Sequence, residues 1–131
     1  MKAAKAGIAL AHALGSKVTA YYAVEELRQS YGDGYMMTLN MIHEFEEHRR
    51  EVGQKQVDAI GRMAKEAGIR FASLVTKAPT AYEGIIAAAK KRRCDVIFMA
   101  SHGRRGLAKF IMGSVTQQVL THSKIPVVVY R

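Results

Sequence analysis

The residues able to do chemistry gather in one stretch. It begins Met99-Ala100-Ser101-His102-Gly103-Arg104-Arg105-Gly106 and, after Leu107 to Met112, ends Gly113-Ser114-Val115-Thr116. Glycines let backbone amides come close to an anion, and the first turn of a helix offers unpaired N–H groups with a favourable dipole. Ser114 fits a helix N-cap, with Gln117 three residues on as in a capping box; the same hydroxyl could instead donate to a phosphate. On local physics alone, a phosphate site and a plain strand-to-helix turn both stay open. This is no Walker loop, because the GK[ST] ending is absent, nor does it sit at the first strand as a dinucleotide fingerprint would. His102 beside a glycine turn invites a general-base role. With no carboxylate or nucleophile placed nearby in sequence to orient it, a structural or pocket-edge role is the better reading. Arg104 and Arg105 are phosphate screens or solvated cations, and Arg104 has the better case.

Other polar groups offer less. His43 and His48 are five apart and do not share a helix face, so they suggest no metal pair. The single cysteine, Cys94, excludes an internal disulfide, and its place at the mouth of an apolar strand reads as a buried inert thiol in a reducing, cytoplasmic setting. The net charge of +9 favours anionic partners. Yet only Lys90-Lys91-Arg92-Arg93 forms a block, and it closes a predicted helix, where cations complement the dipole. It reads as a solvated helix end rather than a nucleic-acid surface.

The elements that must position this stretch alternate helix and strand, the pattern of a parallel sheet with helices on both faces. The sequence predicts a helix over 3–14 that stops at Gly15 and a strand over 18–24. A mobile loop is expected over 25–36, around Gly32-Asp33-Gly34. A long helix over 37–67 carries a buried stripe of Met41, Phe45, His48, Val52, Ile60, Met63 and Ala67, which Gly53 and Gly61 weaken. A strand over 69–76 follows, then a helix started by Pro79 and burying Ile85, Ile86 and Ala89. Asp95–Ala100 reads as a central parallel strand, 114–123 as a helix, and 126–130 as the last strand. At 131 residues the chain is one domain, 1–131, with 49% hydrophobic residues and no run of the ~20 apolar residues that a membrane span needs. It opens in a helix, whereas a first helix normally packs back on a preceding strand. The expectation is a missing leading strand, with a true four-stranded domain as the alternative.

The segment CDVIFMASHGRRGLAKFIMGSVTQQVLTHSKIPVVVYR resembles the C-terminal signature of the universal stress protein family. In that family's ATP-binding branch the motif is Gly, two residues, Gly, nine residues, Gly, then Ser or Thr. Here Gly103, the nine residues Arg104 to Met112, and Gly113-Ser114 fill it, with Ala100 in the first glycine position. The element order matches from the first helix onward. The resemblance implies an open, mostly parallel, Rossmann-like sheet of the adenine nucleotide alpha hydrolase type. It further implies a stress-response or signalling module that binds ATP, with or without Mg2+, and hydrolyses it slowly at most. Gly103, Gly113 and Ser114, with the amides of Val115 and Thr116, would hold the phosphates. Met99 and Ala100 would line the ribose and base side, and His102 and Arg104 would border the pocket. Ala23 would offer its backbone to adenine. The last strand would pair across a two-fold axis, making a homodimer through Val127, Val128 and Val129. A nucleotide-free dimeric interaction protein and a weak ATPase or phosphotransferase are the alternatives.

Overall fold

The computed structural model describes residues 1–27, 38–102 and 111–131. Among them four helices alternate with four strands: α1 (Lys2–Leu14), β1 (Val18–Glu25), α2 (Leu39–Glu66), β2 (Phe71–Ala78), α3 (Ala81–Lys91), β3 (Ile97–Ala100), α4 (Ser114–His122) and β4 (Val127–Tyr130). The expected α/β alternation is present, with β3 and β4 shorter than predicted. Most of the loop expected over 25–36 lies outside the described residues.

Local chemistry sets the helix ends. Gly15 stops α1 by adopting φ 64, a left-handed conformation open to glycine, while its N–H bonds back into the helix. Thr38 caps α2 by accepting from the Met41 N–H at 3.2 Å. At α3 the cap is Thr80, not Pro79: the Glu83 N–H donates to the Thr80 hydroxyl oxygen, and that hydroxyl donates to the Glu83 carboxylate at 2.7 Å. This Thr-x-x-Glu box, which the proline had masked, occupies the position that a helix start at Pro79 would need. Glu25 adds a second acceptor there, taking the Ala81 N–H at 2.9 Å.

All strand pairing is parallel. β1 lies beside β2, with Val18 opposite Phe71 and Ala23 opposite Thr76; β3 lies beside β4, with Ile97 opposite Val127 and Ala100 opposite Tyr130. The pairs form two separate two-stranded sheets. Helices α1 and α2 cover one face, α3 and α4 the other. Helix α3 joins the two pairs, lying on β1 and β2 while its Ala89 shares a buried cluster with Ile97 and Val119.

The fit of helices to strands depends on glycine as space. Gly53 and Gly61 of α2 sit over the rings of Tyr22 and Phe71, Gly84 of α3 over the Tyr21 hydroxyl, and Gly7 of α1 over Phe98. A Cβ at Gly61 would come 2.8 Å from the Phe71 ring. These contacts correct the predicted α2 stripe. Met41 and Phe45 are exposed, and the buried line is Gly53, Val57 and Ala64. The helix rotates to put its smallest residues, not its largest, against aromatic strand residues. Val24, Val57 and Val119 are fully buried, each stabilising the fold by about 1.5–3 kcal/mol relative to an exposed position. Cys94 is half-buried rather than buried, packed at the edge of the Ile97 cluster.

Candidate functional site

The candidate site is built where β3 ends and α4 begins. Two hydrogen bonds clamp these elements together. The Gly113 N–H donates to the Ser101 carbonyl at 2.7 Å, and the Thr116 hydroxyl donates to the Ala100 carbonyl at 2.9 Å. Thr116 is 2% exposed, so its hydroxyl is committed to this bond. The clamp sets the first turn of α4 at the C-terminal rim of β3, the side on which open α/β sheets hold ligands.

The cap of α4 differs from expectation. Gly113 is the N-cap, with φ −60 and ψ 148, and Ser114 is the first helical residue. Gln117 does not close a capping box; its side-chain amide donates to the Met112 carbonyl at 3.3 Å. The Gly113–Ser101 bond accompanies this shift, and the helix starts one residue earlier than a Ser114 cap would allow. Gly113 therefore does not present its own amide to an anion, because that N–H is already spent. The amides of Ser114, Val115 and Thr116 meet no acceptor among the described residues. They are the unpaired donors of a helix start, with the positive end of the dipole behind them.

His102 is held on both sides. Its Nδ1 lies 3.0 Å from the Ser101 hydroxyl, and its Nε2 pairs with the Ile111 carbonyl. A carbonyl only accepts, so Nε2 carries the proton and, in the neutral ring, Nδ1 accepts from Ser101. Both nitrogens are engaged, which supports a positioning role across the turn over general-base work. Ser101 is thus an orienting neighbour of His102 that the sequence reading missed, since it looked for a group to orient the ring and named none.

Met99 and Ala100 occupy the end of β3, Met99 against the Ile97 cluster and Ala100 with its carbonyl in the clamp. Ala23 stands near the C-terminal end of β1, in the other strand pair, its side chain toward Gly84. The structure joins Met99, Ala100, His102 and 113–116 through bonds and packing; no hydrogen bond among the described residues links Ala23 to them. Gly103 and Arg104 lie outside the described residues. The basic block at 90–93 is fully on the surface. Among the described residues no group of three or more His, Cys, Asp or Glu is placed to hold a metal ion, and no helix is long and apolar enough to cross a membrane. A shallow depression of about 610 Å³, lined by Asp58, Arg62, Lys65 and Phe71, lies at the opposite, N-terminal end of β2, far from the strand ends that carry the candidate chemistry.

Comparison with known proteins gives this geometry a context. Universal stress protein MJ0531 of Methanocaldococcus jannaschii is 28% identical over 131 residues, covering 100% of this chain and 74% of its own length. The structure of universal stress protein UspA from Lactobacillus plantarum superposes with a TM-score of 0.76 at 18% identity, covering 99% of this chain and 88% of that one. A crystal structure of a universal stress protein in complex with cAMP superposes with a TM-score of 0.66 at 16% identity, covering 99% and 87%. The family model for the universal stress protein family matches residues 1–131, so the chain belongs to that family.

Proposed function

We propose that this chain is a cytoplasmic ATP-binding stress-response module that holds the nucleotide phosphates on the open amides of Ser114, Val115 and Thr116. One observation carries the reading: three adjacent N–H donors without acceptors among the described residues, fixed at the C-terminal rim of β3 by two hydrogen bonds. Such a helix start suits an anion because its donors need no rearrangement to receive one. Met99 and Ala100 would border the ribose and base, Ala23 would meet the adenine, and Gly103 and Arg104 would approach from the intervening turn. Gly113 contributes by lacking a Cβ beside the phosphates. The relative crystallised with cAMP supports an adenine nucleotide as the class of guest. His102 would stand at the pocket edge beside Ser101; hydrolysis would be slow at most, and any Mg2+ would be held mainly by the phosphates.

The module acts as a homodimer. Ile97 and Ser101 N–H groups donate to the Pro126 and Tyr130 carbonyls, so the peptide groups of Val127 and Val129 turn to the outer edge of β4. An apolar edge of this kind is suited to pairing with a second copy.

The test uses Ser114→Pro. Proline is tolerated at the first helical position and favours an extended preceding residue, which Gly113 already is. The variant removes one amide while keeping the helix. Calorimetric titration with ATP should show affinity lowered about tenfold or more, on the order of one charge-assisted hydrogen bond, with helix content unchanged. Equal affinity in parent and variant would refute the assignment.

A further inference from the structure

Parallel strands joined by helices give the molecule two unlike ends. The Val18 N–H donates to the Arg70 carbonyl, so the connections leaving α1 and α2 meet beside the starts of β1 and β2. Helix α3 begins at the far end, where the Ala81 N–H meets the Glu25 carboxylate, and its Ala89 packs on Ile97, the first residue of β3. The Ile97 N–H donates to the Pro126 carbonyl, which brings in the connection from α4. The four connections 15–17, 67–70, 92–96 and 123–126 therefore share one pole, opposite the rim where α4 begins. None exceeds five residues, so this pole is blunt.

Charge gathers there. With the last four residues of each helix, these connections hold eight Lys or Arg against two carboxylates, Glu66 and Asp95, a net +6 of the chain's +9. Cations scattered along the sequence are thus brought together by the topology. All eight are exposed, and among the described residues none is paired with a carboxylate. The helix dipole accounts for Lys65, Lys90 and Lys91, which lie in last turns. Lys17, Arg70, Arg92, Arg93 and Lys124 lie past the last helical residues.

Arg93 occupies a position suited to glycine. Helices α1, α2 and α3 close in the same way. The N–H groups of Gly15, Gly68 and Arg93 donate to carbonyls three residues back, and those of Ser16, Ile69 and Cys94 to carbonyls five back. The turn requires a positive φ, which is 64 at Gly15, 70 at Gly68 and 53 at Arg93. Glycine takes this conformation freely and arginine only under strain. The fold keeps a cation there against that preference.

We infer that this pole is a docking face for an anionic lipid bilayer. A flat partner suits four short connections that end at one level, and each cation near an anionic leaflet is drawn to it. Leu14, Val96 and Leu120 lie among the cations at 69%, 46% and 42% exposure, placed to enter the boundary between headgroups and acyl chains. Nucleic acid would be met by side chains that stack on bases or read them, and these segments hold no Phe, Tyr, Trp, Asn or Gln. The inference does not depend on nucleotide binding at the opposite end.

Vesicle sedimentation tests it. At about 0.15 M salt the chain should pellet with vesicles of phosphatidylcholine carrying about one-third phosphatidylglycerol, and not with phosphatidylcholine alone. Two double variants fix the place. Arg92→Gln/Arg93→Gly and Lys2→Gln/Lys5→Gln each remove two charges, the first at this pole and the second where α1 begins, at the far end. The first should weaken binding about tenfold or more, since each cation near the surface strengthens it about fivefold. The second should leave it within about twofold of the parent, because charges beyond a Debye length are screened. Arg93→Gly alone should weaken binding while raising the urea midpoint of unfolding, whereas a damaged fold would lower both. No binding to the anionic vesicles, equal losses in the two double variants, or tighter binding to a duplex or single-stranded oligonucleotide in the same buffer would overturn the proposal.

Discussion

Thr116 works at the scale of a single hydroxyl. Its bond to the Ala100 carbonyl is buried and joins the helix start to the strand end. Replacing Thr116 with valine keeps the shape and leaves that carbonyl without its donor, which costs about 1–3 kcal/mol. Urea unfolding of Thr116→Val should show this loss, while Thr116→Ser should recover most of it. Unchanged stability in the valine variant would mean that the clamp contributes nothing. The rim was only partly legible at this scale. Spacing and residue type located the strand end at Ala100 and the helix start near Ser114. They could not show that Gly113 would spend its N–H on Ser101, because that bond joins residues twelve apart whose approach the fold alone decides.

Element packing turns on glycines that the sequence presents as weaknesses. Gly53 lowers intrinsic helix propensity by about 1 kcal/mol relative to alanine, yet a Cβ there would run into the Tyr22 ring. Overpacking of this kind costs about 1–3 kcal/mol, so the clash outweighs the propensity gain. Gly53→Ala should therefore destabilise the fold, and Tyr22→Ala in the same background should remove that penalty, as measured by a double-mutant cycle in denaturant. A stabilised Gly53→Ala single variant would contradict the packing described. Most elements were readable from periodicity and stop signals, such as Gly15 at the end of α1. The α2 stripe was not, because apolar spacing favoured Met41 and Phe45 while aromatic rings on the facing strands selected the small residues. The α3 start was misplaced for a related reason: Pro79 is conspicuous, but Thr80 and Glu83 supply the bonds.

The described residues form two parallel strand pairs held between two helix layers, with candidate chemistry at the C-terminal strand ends and, among the described residues, no strand paired to the outer edge of β4. The α/β class was legible in the alternation of periods; the division into two sheets was not, since no local signal says which strands become neighbours. The proposed dimer makes a prediction at this scale. The Val129 N–H faces the outer edge and forms no bond to β3, so Val129→Pro should block edge pairing while sparing the β3–β4 ladder. Sedimentation velocity should show the parent as a dimer and the variant as a monomer; a dimeric variant would place the interface elsewhere. Within this frame the proposed nucleotide site rests on the first turn of α4. Titrating the 15N-labelled chain with ATP and following its amide resonances tests that directly. The account predicts saturable shifts led by Ser114, Val115 and Thr116, with little change along 58–71. An absence of shifts at 114–116, or their concentration around Asp58, Arg62 and Lys65, would contradict it.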